Sequence, residues 1–305
     1  MSSGGARPRL TTVARYGRPP VVTAPEAPTS AAGPITAFVL GGGGVLGASE
    51  VGMLRALLER GVVPDLVVGT SVGALNGAFV AADPTVAAAE RLAEVWGALT
   101  ASEVFSGSLV SRLASLARSG THLHGNESLR ALIDEYLPGI RIEDLAVRFQ
   151  CVAASIERAS AHWFADGPLA DAILASCAVP GLLPPVRIGK EHFVDGGLVY
   201  SIPVGRAVEL GATRVFVLHV GRIERPLVVP TKPWEVGMVS FEISRRHRFT
   251  EEMARMPAHI DVHVLPAGGG AGPSVRVRYR DTSEVPARIQ AAFGATCNYL
   301  DRRLG

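Results

Sequence analysis

Two short stretches carry residue types able to do chemistry. One is Leu40-Gly41-Gly42-Gly43-Gly44-Val45-Leu46-Gly47, and the other is Gly69-Thr70-Ser71-Val72-Gly73 a short way downstream. A serine in a G-x-S-x-G frame suits a tight strand-to-helix elbow, where flanking backbones approach too closely for larger residues. A glycine run leaves backbone N–H groups bare, and at a helix N-terminus such groups favour an anion, resident or transient. A serine oxygen beside them is equipment for attacking a carbonyl. The bland alternative is a serine that caps its helix.

A nucleophile needs a base, and two kinds of residue compete for that role. Asp195-Gly196-Gly197 and Asp166-Gly167 both have the composition of hairpin turns. Asp195 stands apart because Phe193-Val194 precede it and a second glycine follows. His219 closes an apolar strand, and the order Ser71, Asp195, His219 fits a hydrolase triad. Against a triad, only one strand precedes the nucleophile strand, fewer than an α/β-hydrolase usually has. His122, His124, His259 and His263 lack the acidic or thiolate company of a metal site. Gly42-x-Gly44-x-x-Gly47 matches a dinucleotide fingerprint, yet Gly69-Thr70-Ser71 stands where an acidic residue should hold the ribose. No Gly-Lys-Ser/Thr ending makes it a P-loop.

The elements that must position these residues follow from apolar patterning. Thr36 to Leu40 form a strand before the glycines, and Val51, Leu54, Leu57 and Leu58 then mark one helix face that Gly61 ends. Leu66 to Val68 form a second buried strand, which turns at Ser71 into a helix rich in small residues. Both turns are strand-to-helix junctions of right-handed β-α-β units, so they open at the same edge of a parallel sheet. Further helices are expected over 85–99, around 109–117, and over 126–136, 169–176, 204–210, 234–256 and 285–302. Strands are expected over 149–156, 161–164, 214–220 and 260–265, with an irregular stretch from Pro184 leading to a short strand that ends at Asp195. This alternation predicts an α/β fold, three-layer α/β/α around a mostly parallel central sheet.

Composition bounds the function. The 305 residues are 48% hydrophobic, enough for a substantial core, and the net charge of +2 is too small to imply nucleic acid. Three distant cysteines give no disulfide framework or zinc ribbon, so a reducing, cytoplasmic setting is the default. Residues 1–34 hold six prolines and four arginines against the single acid Glu26, a disordered tail before one domain over 35–305. The uncharged run from Leu66 to Ala82 is broken by Thr70, Ser71, Asn76 and three glycines, which fits a buried strand and helix better than a membrane span.

In their order and context these motifs resemble the patatin-like phospholipases, whose pattern is a Gly-rich oxyanion loop, G-x-S-x-G and a later D-G-[GA]. Here the three are Gly42 to Gly47, Gly69 to Gly73 and Asp195-Gly196-Gly197, and Ala175 to Gly181 resembles the family's Pro-Gly block. The resemblance covers roughly 35 to 220. It implies a Ser71–Asp195 dyad without histidine, with Asp195 as base. It also implies an oxyanion hole of N–H groups at Gly42, Gly43, Gly44 and Val45, with Gly47, Gly69, Gly73, Gly196 and Gly197 as supporting glycines. No cofactor and no metal are implied.

The implied substrate is a phospholipid, a lysophospholipid or another acyl ester, hydrolysed through an acyl-serine. A soluble carboxylesterase or thioesterase of the same fold and a non-catalytic lipid-binding relative are the alternatives. Leu46 departs from the Arg or Lys that members often carry before the last loop glycine. Trp234, Met238, Phe241, Phe249, Met253 and Met256, near Arg245, Arg246 and Arg248, suit a peripheral membrane helix. The gap in the apolar stripe near Arg245 favours instead a helix whose aromatic face completes the core. Oligomeric state is left open.

Overall fold

The computed structural model describes residues 33–101, 125–220, 226–268 and 284–304. The strands are β1 (Thr36–Leu40), β2 (Leu66–Thr70), β3 (Arg148–Ser155), β4 (Ser160–Phe164), β5 (Val186–Ile188), β6 (Glu191–Asp195), β7 (Arg214–Leu218) and β8 (Asp261–Val264). The helices are α1 (Ala48–Glu59), α2 (Val72–Ala82), α3 (Val86–Ala101), α4 (Glu127–Tyr136), α5 (Leu169–Ser176), α6 (Val204–Glu209), α7 (Pro233–Ala254) and α8 (Val285–Arg303).

Strand periodicity explains the layering. In β1, Phe38 and Leu40 enter one hydrophobic core while Ala37 and Val39 enter a second. Phe216 and Leu218 of β7 repeat the division against Val215 and Val217. Successive side chains point to opposite faces, so a strand apolar at every position must be covered on both. The first core is closed by α1, α2, α3, α4, α5 and α8, and the second by α6 and α7. This is the three-layer α/β/α arrangement expected from sequence.

The sheet runs β5-β6-β3-β2-β1-β7-β8, with β4 also paired to β3. β3, β2, β1, β7 and β8 are parallel neighbours, and β4, β5 and β6 join antiparallel. The stretch from Pro184, read as irregular, contains β5, which pairs with β6 across Gly189-Lys190. Three residues behind two prolines are too few for alternation to show. The N-terminal tail up to residue 32, the helix expected around 109–117, and His122 and His124 lie outside the described residues.

Candidate active site

β3 brings the two halves of the site together. Thr70, the last residue of β2, pairs with Val152, and Asp195, the last of β6, pairs with the next residue, Ala153. Ala153 to Ser155 pair with both β4 and β6, so β6 takes up the edge of β3 that β2 leaves. β2 runs parallel to β3 and β6 antiparallel, so their C-terminal ends meet head on. Ser71 follows Thr70, and its Oγ donates a hydrogen bond to Asp195 Oδ2 at 2.6 Å.

The elbow holds Ser71 at φ 55°, ψ −127°, a conformation L-residues avoid. Such strain costs on the order of 1–3 kcal/mol and persists only where neighbours over-determine it. The neighbours are specific. Ser71 N donates to Ser176 Oγ at 2.8 Å, and Ser176 Oγ donates to Val152 O at 2.7 Å. A methyl group on Gly73 would sit 2.5 Å from Leu40 O, and one on Gly69 the same distance from Gly73 O. Ser71 makes no side-chain cap to α2, because its hydroxyl is engaged with Asp195.

Ser176 falls within the Pro-Gly block of the sequence, but that block assigns it no role, since a serine ending a short helix carries no signal of what it will contact. Replacing it by alanine strands a buried N–H at the strained residue, at a cost of about 1–3 kcal/mol. Ser176→Ala is therefore expected to melt earlier and to react more slowly at Ser71 with a serine-directed phosphonylating probe. A melt paired with a fluorophosphonate labelling time course reads both. An unchanged labelling rate would show that the bond does not position the elbow.

Asp195 Oδ1 accepts from Gly197 N at 2.7 Å, and Asp195 N donates to Ala178 O at 2.9 Å. The side chain is 4% exposed. Burial pushes its pKa up to about 6 from an ordinary 3.8, against the lowering effect of the bonds from Ser71 and Gly197. It is therefore a stronger base than an ordinary carboxylate, yet mostly ionised at neutral pH.

The triad order is not assembled. His219 is buried, and burial, reinforced by Arg245, lowers its pKa to about 4. Its Nδ1 has no partner among the described residues, its ring lies against Phe249, and no hydrogen bond joins it to Ser71 or Asp195. Asp166 lies exposed beside Gly167, whose φ of 94° marks an ordinary turn. His263 stacks on Phe216.

The Gly-rich loop runs beside the serine, for a methyl on Gly42 would lie 3.3 Å from Ser71 Cβ. Gly41 N donates to Leu218 O and Gly42 N to Ser201 O, both at 2.9 Å. Gly42 is thereby removed from the expected donor set, since its hydrogen is already engaged. Gly44 and Val45 open a 3₁₀ turn at Gly44–Gly47, whose first N–H groups have no partner within the turn. Gly43, Gly44 and Val45 N–H donate to no protein group among the described residues.

Of the two readings of the stretch around 234–256, the packing of its described residues matches the helix whose apolar face completes the core. In α7, Phe249 is buried in the second core and Met253 packs against it, as does Met256 just beyond the helix. Arg245 is buried too. The side chains of Trp234 and Met238 lie outside the described residues. Of the described apolar residues of this stretch, Phe249, Met253 and Met256 thus complete the core, while Phe241 packs over Gly197 and Val236 and Ile243 are exposed. No helix among the described residues is long and apolar enough to cross a membrane.

By architecture the chain is a three-layer α/β/α protein with a mostly parallel sheet and a strained strand-to-helix elbow at Ser71. A family model described as Patatin-like phospholipase matches residues 38–208, and the chain belongs to that family. It is 36% identical over 195 residues to the Patatin-like phospholipase domain-containing protein ZK370.4 of Caenorhabditis elegans, covering 61% of this chain and 14% of that protein. It is 31% identical over 195 residues to Lysophospholipase NTE1 of Coccidioides immitis (strain RS), covering 61% of this chain and 12% of that protein. These two relatives are thus several times longer than the stretch matched. Among solved structures, VipD from Legionella pneumophila aligns with a TM-score of 0.46 at 15% identity, covering 89% of this chain and 67% of that one.

Proposed function

We propose that the chain is a lipid acyl hydrolase, a phospholipase or lysophospholipase-type esterase, using a Ser71–Asp195 dyad and an acyl-serine intermediate. The observation that carries this reading is the 2.6 Å bond between the Ser71 hydroxyl and a buried carboxylate of raised basicity. Asp195 takes the Ser71 proton as Oγ adds to the ester carbonyl. The tetrahedral oxyanion rests on the N–H groups of Gly43, Gly44 and Val45, where one donor is worth about 3 kcal/mol. The N-terminus of α2 adds its partial positive charge. Collapse expels the alcohol, which takes the proton from Asp195. Water then attacks the acyl-serine with Asp195 again as base, releasing the fatty acid and restoring Ser71. Every proton is accounted for without a cofactor or metal.

A lipid substrate is supported by the relatives' names and by exposed apolar residues near the site. Leu198 and Tyr200 lie three and five residues after Asp195, and Leu182 immediately follows the Pro-Gly block, each more than a third exposed. They suit peripheral contact with a membrane surface. Residues 35–305 act as one hydrolytic domain, because a single sheet runs from β1 to β8 and α8 closes its first core.

The test compares fatty acid release from lysophosphatidylcholine, from phosphatidylcholine vesicles and from a butyrate ester by the full chain. Long-chain lipid is expected to exceed the butyrate ester by about tenfold or more in kcat/KM, since each buried methylene contributes to discrimination. The reverse ranking would make the protein a soluble esterase or thioesterase. No turnover on any substrate, with no adduct at Ser71, would leave a lipid-binding relative.

A further inference from the structure

We propose that Arg245, on α7, is a positioning residue for the oxyanion loop, acting through Ser201 and Val220. The proposal rests on the dyad reading above. Arg245 lies outside the residues that the family model matches, on the far side of the sheet from most of the helices.

A charged side chain is rarely buried without partners, and Arg245 is 6% exposed. Its Nε donates to Ser201 Oγ at 3.0 Å, its Nη2 to Val220 O at 2.7 Å, and its Nη1 to both Glu242 carboxylate oxygens at 3.2 Å. Two of these partners are one step from the loop. Ser201 O accepts the Gly42 N–H at 2.9 Å. The Val220 side chain fills the space beside Gly43, where an added methyl would sit 1.8 Å from Val220 Cγ2. Gly42 and Gly43 are thus held by two residues that a single guanidinium fixes. These glycines lead into the amides that face no protein acceptor, so their orientation decides where the N–H groups point.

The chemistry of the side chain suits the task. A guanidinium is a rigid planar fork whose separate edges can hold separate partners, whereas an ammonium is a point donor on a flexible stem. An ordinary ion pair would need Glu242 alone. Glu242 also accepts from Arg246 at 2.8 Å, so it keeps a cationic partner if Arg245 is lost. Burial, and after it the Arg245 charge, holds His219 well below its ordinary pKa, so this histidine adds no second cation beside the guanidinium.

The experiment measures fluorophosphonate labelling rates by intact mass, kcat and KM on the best ester, and melting, for the full chain. The variants are Arg245→Met, Arg245→Lys, Glu242→Gln, Ser201→Ala and Ser71→Ala. Arg245→Met should lower kcat and labelling rate by about a hundredfold with KM within about twofold, as for mispositioned oxyanion donors. Arg245→Lys should fall between, and Glu242→Gln should stay within about threefold because Ser201 and Val220 keep their donor. If Arg245→Met does not fold, Arg245→Lys with Ser201→Ala decides: their combined effect should be smaller than the product of the single effects, as for residues acting in one contact. Wild-type labelling in Arg245→Met, or parallel losses of rate and melting temperature in Arg245→Met and Glu242→Gln, would overturn the proposal and leave a packing role. Failure of the wild type to acquire an adduct at Ser71 would instead overturn the dyad reading, and Arg245 would fall with it.

Discussion

Ser71→Ala should reduce ester hydrolysis to background, a loss of roughly ten-thousandfold to a millionfold, as when a serine nucleophile is removed elsewhere. No neighbouring group can take over. Ser176 Oγ donates to Val152 O and accepts from Ser71 N, so it is held away from substrate by two bonds. Cys177 is buried, and burial raises its thiol pKa well above the ordinary value, which leaves it unreactive. The substitution should barely disturb the fold, because alanine carries the same strained backbone as serine and fits the same space. One effect opposes this: Asp195 Oδ2 loses its donor and becomes harder to ionise. Intact-mass labelling with a fluorophosphonate is the check, with one adduct on the wild type and none on Ser71→Ala. An adduct that persists in the variant would move the nucleophile elsewhere, and a collapsed melting temperature would make the loss of activity structural.

The sequence made the layers legible because β1, β2 and β7 are apolar at nearly every position, which only a strand covered on both faces tolerates. Ser71 and Asp195 stood out by motif, yet nothing in either motif says that they meet. That depends on β3 accepting β2 and β6 end to end on one edge, a pairing between residues 124 positions apart in the chain. The same register explains the failure of the triad order. His219 follows β7, which lies beyond β1 from β2, so a histidine in the right sequence order comes out at a different column of the sheet. The involvement of Gly42 with Ser201 and the support from Ser176 are equally non-local. On α7, apolar spacing indicated that one face must be covered but not whether core or lipid would cover it. Arg245, which interrupts that apolar stripe, is itself buried, as are Glu242 and Phe249 of the same helix.

If Asp195 is the base of the proposed dyad, Asp195→Asn should disable ester hydrolysis and stabilise the protein at once. The amide is no base, so kcat should fall by roughly a thousandfold, within the usual range for a lost general base. In the wild type the base works only when deprotonated, so kcat/KM should rise with pH through about 6 and then level off. Stability has the opposite dependence. The folded carboxyl has a pKa of about 6 against an ordinary 3.8, so between these values the folded state holds a proton that the unfolded chain has released. The contribution of Asp195 to stability is fully present below pH 3.8 and is lost as pH rises through 6. Keeping it charged at pH 7 then costs roughly 3 kcal/mol, the pKa displacement converted at 1.36 kcal/mol per unit. Asparagine keeps the shape and can still accept from Gly197 while donating to Ser71 Oγ, so it removes the charge without emptying the site. Denaturant melts at pH 5 and 7.5 should therefore show Asp195→Asn more stable than wild type, by a margin that grows with pH. A less stable variant at pH 7.5, or a wild-type rate profile flat down to pH 5, would mean that Asp195 is not the buried, raised-pKa base on which acylation of Ser71 depends.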